Sequence, residues 1–457
     1  MQQNRCRWWI AAAVAGAMLT SPAAEAQAPK AYTLDEWMTV GRVSSFTWSP
    51  DGTYVYFTKE GDESGTAEIF RVPAAGGTPV QVSRNAPGVR PEPKQNVQVS
   101  PDGTFLVYTS SRYFQAIDNI FRMPSAGGTP TELTFNDAII ETSPAISPDG
   151  KTLAYFARTE RGTKIYLLDL TVSPAWPRLF DPGPQADRFP VWAPDGKTLA
   201  FSRQGDIWIR GVGGGEAKRV IEDALAGGNG SPVWSPDGTR IAFTTSRSGF
   251  SQVGVVEVAT GKVTPVTYEP REHGDVAWSP DGASLVFVRG DGMSRDIVVA
   301  PATGKGSQRV LTTGKGVRSA PQFSPDGRTI AYIETTGNRT ADLWLAAAGG
   351  GAPKQLTNSM GKVNPADLSI PEEVTYKGPD NLVIPALLYK PKAFEPTRKY
   401  PVVVQLHGRP GQWNHAMPLM WQYFIQQGFV FIAPNPRGSV GFGQGYHDLH
   451  VGDYGGT

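Results

Sequence analysis

Ser49-Pro50-Asp51-Gly52 decides the fold, because this four-residue stretch recurs along the chain. Further copies begin at Ser100, Ser147, Ala193, Ser235, Ser279 and Ser324, each continuing Pro-Asp-Gly, at steps of 51, 47, 46, 42, 44 and 45 residues. Proline presets φ for an early turn position and aspartate bonds its own backbone two residues on. Glycine then takes the positive-φ position that closes the turn. Apolar residues flank the turns: Phe46 and Trp48 before one copy with Val55 and Phe57 after it, and Ala277/Trp278 with Leu285/Phe287 around another. Each copy therefore reads as strand, turn, strand.

A second hairpin follows. Ile69-Phe70-Arg71-Val72 precedes Gly76-Gly77, Ile120-Phe121-Arg122-Met123 precedes Gly127-Gly128, and Leu343-Trp344-Leu345 precedes Gly349-Gly350. Two hairpins make four strands, and a repeat of 40 to 50 residues fits a propeller blade. The expected fold class is mainly β: a seven-bladed β-propeller from about Ser44 to Asn358, followed by the N-terminal part of a second domain. The seven aspartates read as turn formers, since no copy gathers the other oxygen ligands of a calcium loop. Trp48, Trp192, Trp234 and Trp278 stand just before their turns, a place that suits packing between blades better than ligand stacking.

A chain of 457 residues leaves room for two or more domains. Its 43 basic and 42 acidic residues form no strong cluster, which argues against nucleic acid or an anionic membrane surface as partner. Arg5 and Arg7 precede an apolar run from Trp8 to Leu19, and Ala26-Gln27-Ala28 offers a cleavage site, so residues 1–28 are expected to be a secretory signal peptide. The product would be periplasmic or secreted, with no membrane contact after cleavage. The sole cysteine, Cys6, lies inside that leader. Disulfides, thiolate metal sites and cysteine nucleophiles are thereby excluded from the mature chain, and no motif implies a cofactor.

After the repeats the pattern changes. Glu373-Val374-Thr375-Tyr376 and Leu382-Val383-Ile384 flank a turn and read as a hairpin, whose second strand runs on to Tyr389. Val402 to Leu406 is a run apolar except at Gln405, expected to be a strand buried on both faces of a parallel sheet. His407-Gly408-Arg409-Pro410-Gly411 closes it, Met417 to Gln427 predicts a helix, and Phe429 to Ala433 predicts the next strand. Strand, glycine-containing loop, helix and strand is how an α/β-hydrolase opens, with the loop supplying a backbone N–H to the oxyanion hole.

A WD40-like propeller followed by Tyr400-Pro-Val-Val-Val-Gln-Leu-His-Gly-Arg-Pro410, Ala433-Pro-Asn-Pro-Arg-Gly-Ser-Val-Gly-Phe-Gly443 and Gly452-Asp-Tyr-Gly-Gly456 resembles the prolyl oligopeptidase (S9) family. Acylaminoacyl-peptidase-like members are the nearest, and the blades themselves resemble TolB-type repeats. The likeness runs from about Tyr32 to Thr457. It implies a propeller over 32–360, an incomplete α/β-hydrolase (peptidase S9) domain over 361–457, and short peptides as substrates. His407, Gly408, Arg409 and Pro410 would form the oxyanion-hole loop. In relatives that loop is usually His-Gly-Gly-Pro, so the donor amide maps onto Arg409, where this sequence departs from the pattern.

No Gly-x-Ser-x-Gly occurs, and Gly438-Ser439-Val440-Gly441 has its first glycine one residue too close. His407, His415, His447 and His450 read as loop or surface histidines without a recognisable nucleophile and acid. The resemblance places the family's Ser, Asp and His beyond Thr457, so the chain is expected to be a fragment inactive by itself. Two competing readings remain: a non-enzymatic TolB-like propeller binding protein partners, and an esterase of the same fold.

Overall fold

The Pro-Asp-Gly turns form as their residues dictate. In six of the seven copies the serine Oγ donates to the aspartate Oδ1 at 2.5–2.6 Å. The same Oγ accepts the amide five residues on at 2.9–3.0 Å. The aspartate Oδ1 also accepts an amide two residues on, as from Thr53 at 3.0 Å. These bonds hold the Asp102 and Asp237 carboxyls down at about 2, with the serine hydroxyl as the leading cause. The seven glycines lie at φ of +66° to +73°, which a side chain disfavours. The fourth copy begins with Ala193, and there Asp195 Oδ1 accepts both Lys197 N at 2.8 Å and Thr198 N at 3.2 Å.

The computed structural model describes residues 30–61, 67–84, 93–111, 118–135, 140–159, 162–221, 232–378, 380–408 and 411–451. The expected signal segment, Arg409, Pro410 and residues 452–457 fall outside the described residues. Among those described, seven consecutive four-stranded antiparallel sheets follow one another, none exchanging a strand with its neighbour. The first comprises Arg42–Trp48, Tyr54–Glu60, Glu68–Pro73 and Val80–Gln81. The others begin at Lys94–Val99, Ile140–Ile146, Asp187–Trp192, Val233–Trp234, His273–Trp278 and Val317–Phe323, and the last ends at Lys354–Gln355.

The sheets pack face to face. Trp192, Trp234 and Trp278 are buried, and each indole donates to a carbonyl in the first strand of the preceding sheet: Ala145 at 2.9 Å, Val191 at 3.3 Å and Val233 at 2.9 Å. The tryptophans thus serve packing between sheets, as their place in the sequence suggested. The ring closes by contact alone. Val43, Phe46 and Val72 of the first sheet share a core with Ala331, Leu343 and Leu356 of the seventh, and Gln322 Nε2 donates to Phe46 O at 3.3 Å. Each turn glycine faces the proline of the preceding copy, and Gly52 faces Pro325, so the row of turns closes on itself.

Two features escape the repeat pattern. The first strands of five sheets carry a bulge with a residue at positive φ four positions before the motif: Asn96, Ser143, Phe189, Asp275 and Ala320. None is glycine, so the sequence hides them. A short helix, Leu34–Trp37, capped by Thr33 and Glu36, precedes the first sheet. Tyr32 and Trp37 pack with Met360, Val363 and Leu368, while Tyr32 exchanges backbone hydrogen bonds with the Gln426 amide. The stretch before the first sheet is thereby tied to the segment beyond the repeats.

Candidate active-site segment

Beyond the seventh sheet lies a sheet of a different kind. Its order is Glu372–Lys377, Val383–Tyr389, Val430–Pro434, Val402–Val404; the last pair is parallel and the others antiparallel. The helix Leu419–Gln426 links the two parallel strands, ending where Gly428 takes φ +92°. Trp421 stacks on Phe431 at 5.3 Å, and Trp413 lies 4.7 Å from Trp421, filling the space between helix and sheet.

The expectation that residues 402–406 form a strand buried on both faces does not hold. The strand is only Val402–Val404, at the sheet edge, and Val402 and Val404 are 60% and 61% exposed. The apolar run was read correctly as a parallel strand, but among the described residues the helix covers one face and nothing covers the other.

His407 and Gly408 follow this strand. His407 Nδ1 lies 2.8 Å from the Gly408 carbonyl oxygen. The other ring nitrogen, Nε2, lies 3.0 Å from Ser439 Oγ. Gly411 turns the chain back sharply: a Cβ there would stand 2.4 Å from the Gly408 oxygen and 2.8 Å from His407 Nδ1. Val440 N bonds Gly411 O at 3.0 Å. Asn435, fully buried, clamps the next residues by accepting from Trp413 N at 2.7 Å and donating to Trp413 O at 2.9 Å. The Asn-Pro-Arg-Gly-Ser turn therefore supports the loop that begins at His407. Sequence reasoning noted that turn without seeing its role.

A serine and a histidine in contact invite the question of nucleophilic chemistry. Ser439 Oγ donates to Pro436 O at 2.6 Å, and the residue has no exposed surface. Its single proton is committed and no substrate carbonyl reaches it, so the pair positions the loop rather than attacks. His447 sits beside Asp448, with Nδ1 3.1 Å from Oδ1, and no serine completes that pair among the described residues. His450 Nδ1 bonds the His447 carbonyl.

His415 departs from its expected surface place. It is fully buried, its Nε2 lies 2.7 Å from Glu373 Oε1, and Lys315 reaches the same oxygen at 3.3 Å. Burial lowers the His415 pKa against the pull of Glu373. Burial also works to raise Glu373, but the hydrogen bonds from His415 and Lys315 outweigh it and hold the carboxyl below its ordinary value.

This trio belongs to a seam between the segment and the propeller. His415 N bonds Met293 O at 3.0 Å, Gln412 Nε2 bonds Gly292 O at 2.9 Å, and Gln444 N bonds Gly249 O at 2.6 Å. The partners sit in hairpin loops of the fifth and sixth sheets, at the ends opposite the Pro-Asp-Gly turns. Beside this seam lies a cavity of about 620 Å³, walled by Glu272, His273, Asp275 and Arg295 on one side and Gln412, Val440 and Gln444 on the other. His273 is buried, and burial lowers its pKa. Glu272 accepts Ser251 N at 2.8 Å and Asp275 accepts Ala320 N at 3.0 Å. Sequence reasoning named none of these wall residues, because they are brought together only by ring closure and docking.

Comparison with known proteins agrees with this architecture. A model of the TolB β-propeller domain matches residues 41–204 and 138–369. The probable dipeptidyl-peptidase 5 of Aspergillus clavatus is 30% identical over 197 residues, covering 41% of this chain and 26% of that protein. The peptidase YuxL of Bacillus subtilis is 24% identical over 481 aligned residues, covering 79% of this chain and 71% of that protein. In fold, the chain superposes on a prolyl endopeptidase with TM-score 0.76 at 15% identity, over 91% of this chain and 64% of that one. It also superposes on a puromycin-hydrolysing peptidase of Mycobacterium tuberculosis with TM-score 0.72 at 18% identity, over 91% and 69%. The chain thus spans about a quarter of the fungal relative and about two thirds of the solved chains. It belongs to the TolB β-propeller domain family, and beyond its propeller it is similar to peptidases of the prolyl oligopeptidase family.

Proposed function

We propose that this chain is the propeller and the opening of the catalytic domain of a serine-type peptidase of the prolyl oligopeptidase family, acting on short peptides. In this reading the seven sheets are the blades of a seven-bladed propeller over 32–360. Residues 361–457 begin the α/β-hydrolase domain, and residues 1–28 direct export to the periplasm or beyond. His407, Gly408, Arg409 and Pro410 are the oxyanion-hole loop, with the Arg409 amide as donor. The nucleophilic serine and its acid and base follow Thr457.

The observation that carries the reading is the shared cavity. Its far wall is propeller and its near wall is Gln412 and Val440, which flank and bond the loop after His407. A site lined by both walls sheds water when a substrate fills it, which strengthens an oxyanion donor. It also forces a substrate past the propeller, favouring short peptides. Glu272, Asp275 and Arg295 all stand on its propeller wall, a mixture that suits a peptide's charged ends. The TolB domain match covers the propeller alone, which leaves a non-enzymatic binding protein as the second reading.

The test is hydrolysis of chromogenic di- to pentapeptides and of matched esters by the protein extended through the reading frame beyond Thr457. Peptide turnover that falls with length supports the peptidase. Ester turnover alone redirects the assignment to an esterase, and no turnover by a folded extended protein refutes the hydrolase reading.

A further inference from the structure

A second cavity, of about 350 Å³, lies between the second and third sheets and shares no residue with the one beside the seam. Leu133, Phe135, Ala157, Tyr166 and the loop 174–177 make its walls apolar and aromatic. One acidic side chain lines it. Glu141, in the first strand of the third sheet, is only 4% exposed, and its Oε2 has no hydrogen-bond partner among the described residues.

That arrangement is unfavourable for an empty protein. A carboxylate removed from water without a cation loses several kcal/mol unless it takes up a proton. Burial accordingly pushes Glu141 up to about 7, against a hydrogen bond with Thr134 and with the help of the nearby Glu132 charge. No lysine or arginine is among the described residues lining the cavity. Tyr155, whose own pKa burial raises, and Tyr166 are the other titratable groups among the described residues lining the cavity. Meanwhile Trp176 stands 83% exposed at the mouth, with Phe135 beside it, where a purely structural tryptophan would gain from being covered.

We propose that this cavity binds a small organic ammonium ion on an apolar body, with Glu141 as its counter-ion and Tyr155, Tyr166 and Trp176 as its aromatic walls. A cation satisfies the unpartnered oxygen, and electron-rich rings attract the same charge. The volume suits a compact ligand of one ring and a short chain. The site is remote from the His407 loop, so it does not depend on the peptidase reading and survives its failure.

The test is calorimetric titration of the chain with 2-phenylethylamine at pH 7.5, beside 2-phenylethanol, which has the same body without the charge. The amine should bind at least about tenfold tighter than the alcohol, and Glu141→Gln should remove that advantage. Affinity for the amine should fall as pH drops below 7, because the bound cation must displace the Glu141 proton. Trp176→Ala, at an exposed position that leaves the fold alone, should weaken the amine about threefold. Equal binding of amine and alcohol, an unchanged affinity in Glu141→Gln, or no heat from the amine up to about 10 mM, a weak limit for so small a ligand, overturns the proposal.

Discussion

The serine of each Ser-Pro-Asp-Gly turn makes the same polar contacts in six sheets, and its contribution is open to direct measurement. Replacing Ser49, Ser100, Ser147, Ser235, Ser279 and Ser324 together by alanine removes from each turn one bond to aspartate and one from a backbone amide. The hydroxyls are buried, so the lost bonds are not replaced by water. Taken alone, two such bonds suggest about 2 kcal/mol per site. The Ala193 copy reduces this: without a hydroxyl, Asp195 gathers both amides itself. The relaxed turn therefore recovers one bond, leaving a loss of about 1 kcal/mol per site. The six sites lie in different sheets and add, giving about 6 kcal/mol. With an unfolding entropy of roughly 0.9 kcal/mol/K for a chain of this length, Tm should fall by about 7 °C. Conversely, Ala193→Ser should raise it by about 1 °C. Differential scanning fluorimetry reads both. A sextuple variant melting within a degree of the parent would refute the claim that these hydroxyls stabilise the turns.

Other expectations follow from single sites. Glu141→Gln should raise Tm by about 3 °C at pH 8 and by nothing at pH 4. Its folded pKa lies above the unfolded value of 4.5, so the native chain loses stability as pH rises from there through about 7, and glutamine escapes that loss. Glu373→Gln should destabilise the seam at neutral pH, with the difference vanishing as pH falls below 4.5, since a carboxyl held low stabilises only above that value; a pH series of melting curves checks the sign. Asn435→Ala should lose about 2 kcal/mol and expose the Gly411–Trp413 stretch, which limited proteolysis would detect as a new early cleavage there. Ala320→Gly should leave stability unchanged or raise it by about 0.5 kcal/mol, because glycine accepts the φ of +50° that alanine resists; a clear fall in Tm would contradict the assigned strain.

The seven turns were legible because their signals are local. Proline, aspartate and glycine act within four residues of one another, and the flanking alternation fixes which face of each strand is buried. The tryptophans were legible for the same reason, by their constant offset from the turn. The bulges at Asn96, Ser143, Phe189, Asp275 and Ala320 were not, since ordinary residues occupy the left-handed conformation there. The edge strand Val402–Val404 misled because an apolar run does not tell how many of a strand's faces are covered, and among the described residues one face here stands open. At the candidate site, the His407 loop could be read from its glycines. Its supports, Asn435 and Ser439, and the buried His415–Glu373–Lys315 group join residues far apart in sequence, with Lys315 coming from the propeller.

The central claim is that this chain prepares a hydrolase site without holding the nucleophile. It is tested most directly by fluorophosphonate labelling, with mass-spectrometric mapping of the adduct, on this chain and on the protein extended beyond Thr457. The account predicts a single labelled serine in the extension and none between residues 1 and 457. An adduct on Ser439, or a folded extended protein that takes no label, would contradict it.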